Sequence, residues 1–340
     1  MKKIVTMGEI MMRLSTINNE RFIQADKYNA CYGGSEANVA VSLACFGMDA
    51  KFVTKLPDNP IGRAAQSAVR KYGVDTSAIA WGGQRVGIYY LEQGAAQRSS
   101  QVVYDRAGSS MSQASFDDWN WDDVFLDADW LHISGITPAI SQQAAQVTLE
   151  AVKVAHNKGL TVSCDLNYRA KLWTVEQARA VMPEIMKYVD VCIGGREDAM
   201  KMLGFKLSKH NDDDTPNLEA YKQMFEEMVE QYGFKYVACS MRRSFTASDN
   251  ELGGLIYDGQ KLYKSPRYRM NPMIDRVGGG DAFAAGIIYS ILEGKTTQDV
   301  VDFAVAASVL KHSIPGDFNL STKEEVEALM NGNSLGRVSR

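Results

Sequence analysis

Histidine and cysteine are scarce in this chain, at four and five of 340 residues. The histidines show neither HxxxH nor mixed Cys/His spacing, so no zinc site is written into the sequence. His132, in Trp130-Leu131-His132-Ile133, reads as a strand histidine with a backbone partner. The five cysteines (Cys31, Cys45, Cys164, Cys192, Cys239) are odd in number, far apart and mostly inside apolar runs. That pattern excludes a disulfide framework and implies reduced thiols and a cytoplasmic location. No apolar run approaches the ~20 residues of a bilayer span, and the N-terminus lacks the apolar core of a signal peptide. Nor does one sign of charge dominate. With 37 basic and 41 acidic residues the formal net charge is −4, which leaves nucleic acid and acidic membrane surfaces as poor partners. There is no internal repeat and no linker long enough to divide the chain, so the expectation is one domain over 1–340.

What is present is a 45% hydrophobic composition with strand and helix patterns in alternation. Strands are expected at Ile4 to Met7, Lys51 to Leu56, Trp130 to Ile136, Leu160 to Leu166, Val189 to Ile193 and Tyr236 to Met241. Helices are expected at Ser35 to Phe46, Ile61 to Tyr72, Ser141 to Asn157, Val175 to Tyr188 and Leu218 to Tyr232. In the last, Leu218, Tyr221, Met224, Phe225, Met228, Val229 and Tyr232 recur at spacings of three and four, which marks a core-facing stripe. This alternation predicts an α/β fold: a mostly parallel sheet with helices on both faces and ligands beyond the carboxyl ends of its strands. Two stretches break the rhythm, about 11–32 and 86–106, and read as strands of a small antiparallel lid sheet. Its open edge makes a homodimer plausible. Gly253 to Ser265 reads as a hairpin turning at Asp258-Gly259. Lys209 to Asn217 reads as a solvated polar loop rather than a calcium site, and Asn331 to Arg340 as a frayed tail.

Two glycine turns carry the chemistry. In Asp275-Arg276-Val277-Gly278-Gly279-Gly280-Asp281, three glycines open an apolar helix. The free N–H groups there form an anion hole, strengthened by the helix dipole. An acid at that rim repels a phosphate but suits a base taking a proton from an attacking hydroxyl; on this stretch alone, a helix cap is the favoured reading of Asp281. In Gly33-Gly34-Ser35-Glu36-Ala37-Asn38, two glycines open a helix of small residues, with Ser35 and Asn38 toward one opening.

In order and spacing, these turns resemble the two signatures of the ribokinase/PfkB family of sugar kinases, and the likeness covers nearly the whole chain. It implies a ribokinase-like three-layer core with a β-sheet lid, ATP and Mg²⁺ as cofactors, and Asp281 as general base. It also implies an anion hole at Gly278, Gly279 and Gly280. Within the family the likeness is to kinases of the sugar acid 2-keto-3-deoxygluconate. Substrate contacts are then expected from Gly34, Ser35, Asn38, Tyr89, Tyr104, Arg106, Arg169 and Asp317. Nucleotide contacts are expected from Asn167, Ser240, Arg242, Gly278 and Gly280. A guanidinium fork matches a sugar-acid carboxylate bidentately, which gives Arg106 and Arg169 their expected role. Arg13 stands where many fructokinases carry an Asp, and it is either a third such group or a surface residue.

The sequence also departs from the family pattern. Arg276 replaces the usual Thr and Gly279 the usual Ala, while Gly195 and Asp198 fall where an Asn-x-x-Glu motif linked to magnesium is expected. How a metal is held therefore stays open, as do the roles of Arg242 and Arg243. The leading expectation is phosphorylation of a sugar acid. A fructokinase and a non-catalytic sugar-acid sensor are the alternatives. A dinucleotide-dependent dehydrogenase is weaker, because no glycine fingerprint follows the first strand, where Gly8 leads to Glu9, Ile10 and Met11.

Overall fold

The computed structural model describes residues 2–206 and 217–332, so most of the expected polar loop and tail lie outside the described residues. The strands are β1 (Lys3–Met7), β2 (Met11–Thr16), β3 (Tyr28–Gly33), β4 (Asp49–Leu56), β5 (Ile79–Trp81), β6 (Gly87–Glu92) and β7 (Gln101–Asp105). They continue as β8 (Trp130–Ser134), β9 (Thr161–Asp165), β10 (Val191–Ile193), β11 (Tyr236–Ser244), β12 (Asn250–Tyr257), β13 (Leu262–Lys264) and β14 (Tyr268–Met270). The helices begin with α1 (Ser35–Cys45), α2 (Pro60–Arg70), α3 (Trp121–Val124), α4 (Gln142–Asn157) and α5 (Val175–Met186). After these come α6 (Arg196–Asp198), α7 (Leu218–Tyr232), α8 (Gly279–Leu292), α9 (Thr297–Lys311) and α10 (Lys323–Met330).

The main sheet runs β13-β12-β11-β10-β9-β8-β1-β4-β5, with β14 paired to β12. From β5 to β11 every pairing is parallel, and the last strands turn antiparallel. Apolar residues of α4, α5 and α7 fill one face, and those of α1, α2, α8, α9 and α10 the other. That is the three-layer core expected of parallel strands apolar on both faces. The centre of the α7 stripe, Met224, Phe225 and Met228, is buried, Tyr221, Val229 and Tyr232 are half-buried, and Leu218 at the helix start is exposed, against its expectation; Asn217 caps the helix start and Gly233, at φ +74°, ends it. Helices α8 and α9 cross so closely that a Cβ on Gly286 would lie 2.6 Å from the Ala304 Cα. The β12–β13 hairpin turns at Asp258-Gly259, where the Asp258 carboxylate accepts from the N–H groups of Gln260 and Lys261.

The second sheet is the lid, ordered β3-β2-β6-β7. It was expected to be antiparallel, and two of its pairings are; the central pair β2–β6 is parallel. Strand β2 follows β1 and β6 follows β5, two strands of the main sheet that run in the same direction, so β2 and β6 leave it side by side while β3 and β7 return. Sequence periodicity carries the strands but not this direction. His132 also corrects its expectation: its partner is the Ser163 hydroxyl, 2.8 Å away on β9, and not a backbone group. Burial pushes its pKa down to about 3, so the ring is neutral.

Candidate active site

A cavity of about 1150 Å³ lies between the lid and the carboxyl ends of the central strands. All but two of the expected site residues line it; Ser240 and Arg242 do not. Asp281 sits in the first turn of α8 and is only 8% exposed. Its carboxylate accepts from the Ser35 hydroxyl at 2.7 Å on one oxygen and from the Asn38 amide at 2.7 Å on the other. Ser35 and Asn38, expected to face the substrate, line the cavity and also hold the acid. Asn38 is fixed in turn by the Gly34 N–H, 3.3 Å from its Oδ1. Burial raises the Asp281 pKa, and the bonds from Asn38 and Ser35 oppose that rise. A carboxylate moved toward neutrality but kept ionisable is what a base acting near pH 7 requires.

The glycine turn beside it is built from specific steric demands. Gly278 has φ +84°, and a Cβ there would lie 1.9 Å from the Asp317 carbonyl oxygen. A Cβ on Gly279 would meet the His312 ring at 2.3 Å, whereas one on Gly280 would meet nothing within 4 Å. The first two glycines let the turn sit on the loop behind it, and the third leaves ligand space open. The first turn of α8 then presents its unpaired N–H groups to the cavity.

The arginines divide. Arg169 is exposed in the cavity and, among the described residues, forms no salt bridge. Arg106 is buried and donates to the Glu9 carboxylate; its Nε and the second Glu9 oxygen find no partner. The Tyr104 ring lies near two basic groups of the wall, 5.6 Å from the Arg106 guanidinium and 6.0 Å from the Lys171 ammonium. Arg13 is neither a carboxylate fork nor a surface residue. It is 3% exposed, and its Nη1 and Nη2 meet Asp317 at 2.8 Å and Asp275 at 2.5 Å. Asp317 also accepts from the Tyr89 hydroxyl at 2.5 Å, so both residues are already engaged within the protein.

On the expected nucleotide side, Asn167 lines the cavity with a left-handed backbone (φ +43°). Ser240 is exposed on β11, and Arg242 turns to the His312 ring, 2.7 Å from Nε2, while His312 Nδ1 faces the Ser308 carbonyl. That geometry fixes a tautomer: Nδ1–H donates to the carbonyl and Nε2 accepts from the guanidinium. Burial, with Arg242 next, pushes the His312 pKa down to about 3, consistent with the neutral ring. Burial and the nearby Arg276 push the Arg242 pKa down to about 10. Arg243 lies over the Phe245 ring at 5.1 Å, away from the cavity.

Buried acids complete the site. Burial, then Asp198 and Asp281, push the Asp165 pKa well up, and its carboxyl accepts no hydrogen bond among the described residues. Asp198, in the place of the expected Glu, accepts from the Tyr168 N–H at 2.9 Å and the Gly195 N–H at 3.2 Å. Glu36 is held by the Ser134 and Thr137 hydroxyls and the Ser134 N–H, and burial pushes its pKa up to about 7. The role of Glu9 was not legible in sequence; its one signal is a polar residue just past the end of β1.

The arrangement combines an acid poised as a base, an anion-binding turn and a lidded, cation-bearing pocket. Comparison with known proteins agrees with it. The chain is 48% identical, with a TM-score of 0.94, to the crystal structure of a 2-dehydro-3-deoxygluconokinase from Thermotoga maritima, over 98% of this chain and 100% of that one. It is 32% identical to a 2-dehydro-3-deoxygalactonokinase of Haloferax volcanii over 98% of each chain. It is also 26% identical to a 2-dehydro-3-deoxygluconokinase of Bacillus subtilis, over 96% of this chain and 94% of that one. Residues 1–321 match the model of the pfkB family carbohydrate kinases, and this chain belongs to that family.

Proposed function

We propose that this kinase transfers the γ-phosphoryl group of ATP to a primary hydroxyl of 2-keto-3-deoxygluconate (2-dehydro-3-deoxygluconate), giving its 6-phosphate. The observation that carries the reading is Asp281, held by Ser35 and Asn38 at the mouth of the glycine turn. One Asp281 oxygen takes the hydroxyl proton as the sugar oxygen bonds to phosphorus and the bond to the ADP oxygen breaks. The N–H groups of the Gly278–Gly280 turn stabilise charge on the transferring oxygens. Tyr104 and the lid strands exclude water, and Arg169 with the free edge of Arg106 receives the substrate carboxylate.

The residues present fit Mg²⁺ as well. Among the described residues no three of His, Cys, Asp or Glu close on one point, which suits an ion that keeps waters and shares nucleotide phosphates. Asp165, unpartnered and crowded by Asp198, supplies the carboxylate, with Asp198 behind it. When bound, the ion would offset phosphate charge. Arg276 lines the cavity and Arg242 stands behind it, on the side where the nucleotide enters.

The relatives are named for two epimers of one 2-keto-3-deoxy acid, which decides the experiment. Initial rates with ATP should be compared on 2-keto-3-deoxygluconate, its galactonate epimer, 5-keto-2-deoxygluconate and fructose, with the phosphorylated carbon assigned by NMR. Preference for 2-keto-3-deoxygluconate, alone or together with its galactonate epimer, supports the proposal, whereas preference for the galactonate epimer alone keeps the sugar-acid kinase and overturns the substrate. Preference for fructose retains the kinase and removes the carboxylate role of the arginines. Nucleotide binding without turnover on any of the four would favour the sensor.

A further inference from the structure

A cluster of heavily buried charges lies under the catalytic turn, with Asp275 and Asp317 at the wall of the cavity. Arg13 (3% exposed) forms ion pairs with both Asp275 (4%) and Asp317 (3%), and Lys311 (0%) lies close to the same acids. They come from three separate parts of the chain: lid strand β2, the turn before α8, and the end of α9 with the loop that follows it. Arg13 uses every face of its guanidinium, with Nε donating to the Ser15 hydroxyl at 2.6 Å, Nη1 to Asp317 and Nη2 to Asp275. Burial opposes its charge, but Asp317 and Asp275 outweigh that and hold it protonated.

Both acids pass the contact on to the turn. The second Asp275 oxygen accepts from the Val277 N–H at 3.1 Å, and the oxygen facing Arg13 also accepts from the Gly316 N–H at 3.0 Å. The Asp317 carbonyl packs directly against Gly278, and its carboxylate receives the Tyr89 hydroxyl from lid strand β6. Lys311 pins the same loop through the carbonyls of Ile314 and Gly316. The two inner lid strands and the anion-hole turn therefore hang on one pair of carboxylates, bridged by one guanidinium. A lid displaced from its seat would pull Arg13 and Tyr89 off Asp275 and Asp317, and the turn would lose what fixes it.

We infer that Arg13 is a positioning residue: it couples the seating of the lid to the geometry of the glycine turn, so that the turn is formed when the lid is down. The inference rests on the kinase reading only for its kinetic readout. Its structural readout is amide hydrogen exchange of residues 276–281, followed by mass spectrometry in the wild type, Arg13→Lys and Tyr89→Phe, without ligand. Arg13→Lys keeps the charge but reaches one acid only, and Tyr89→Phe removes a single hydroxyl, so both variants should fold. Exchange in 276–281 should rise about tenfold or more in Arg13→Lys, in step with β2, and less in Tyr89→Phe. The kinetic counterpart is a fall in kcat of roughly tenfold or more in Arg13→Lys, with KM for ATP within about twofold. Faster exchange in β2 with 276–281 unchanged would overturn the coupling. So would an unchanged kcat per folded molecule in Arg13→Lys, if the wild type turns over. A wild type that does not phosphorylate any sugar acid removes the kinase reading but leaves the exchange experiment decisive.

Discussion

Removing the Ser35 hydroxyl tests how the base is tuned. In the folded protein that hydroxyl donates to one Asp281 oxygen at 2.7 Å, inside a site where the acid is 8% exposed. A hydrogen bond to a charged group is worth ~1.5–3 kcal/mol, and a pKa unit corresponds to about 1.4 kcal/mol. Ser35→Ala should therefore raise the Asp281 pKa by about one to two units, less if water fills the space left by the hydroxyl. The sign follows from the chemistry: the bond stabilises the ionised form, so its loss favours the protonated, inactive form. The acid-side limb of kcat/KM against pH should move upward by that amount, while the high-pH plateau stays within about tenfold. Asn38→Ala should move it in the same direction, and the double variant further. An acid limb that does not move, with a raised KM for the sugar, would refute the reasoning. It would return Ser35 to the substrate-binding role its position in the sequence first implied.

Arg169→Ala should raise KM for the sugar acid by about ten- to a hundredfold with little change in KM for ATP, as expected for loss of a charge-assisted contact. Glu9→Gln should alter sugar-acid KM without touching ATP binding, since Glu9 meets Arg106 alone among the basic groups; equal changes in both KM values would contradict this assignment. Glu36→Gln should flatten part of the pH dependence of stability. Its carboxyl is raised from the usual 4.5 to about 7, so its contribution is fully present below 4.5 and is lost as pH rises through 7. The melting-temperature difference between Glu36→Gln and wild type should thus grow in favour of the variant from pH 5 to pH 8, and a constant difference would contradict it. Gly286→Ala should cost about 1–3 kcal/mol by forcing α8 off Ala304, read as a melting temperature lowered by several degrees.

The layers of the core were legible because their cause is local. Helix α7 has the expected bounds and buries the centre of its apolar stripe, and the short β-branched runs become parallel strands with apolar residues on both faces. The two glycine turns were equally plain, since their backbone demands are met by residues adjacent in sequence. What could not be read is what joins distant segments. Arg13 and Asp317 are 304 residues apart, and Arg106 and Glu9 are 97 apart; no periodicity reports such pairs. The same applies to Ser35 and Asn38, which face the cavity as expected but are taken up by Asp281 from the other end of the chain. The parallel β2–β6 pair was hidden because strand patterns carry no direction.

In the proposed reaction Asp281 accepts the hydroxyl proton during phosphoryl transfer. This step is tested most directly by the single-turnover rate of ADP formation with 2-keto-3-deoxygluconate in wild type and Asp281→Asn, beside the ATP affinity of each. The Asn side chain fits the same space and can keep the contact from Ser35, but it cannot take a proton. The account predicts a rate lowered by ~10²–10⁴-fold with ATP affinity nearly unchanged. A rate within a few-fold of wild type would leave Asp281 as a helix cap and contradict the account.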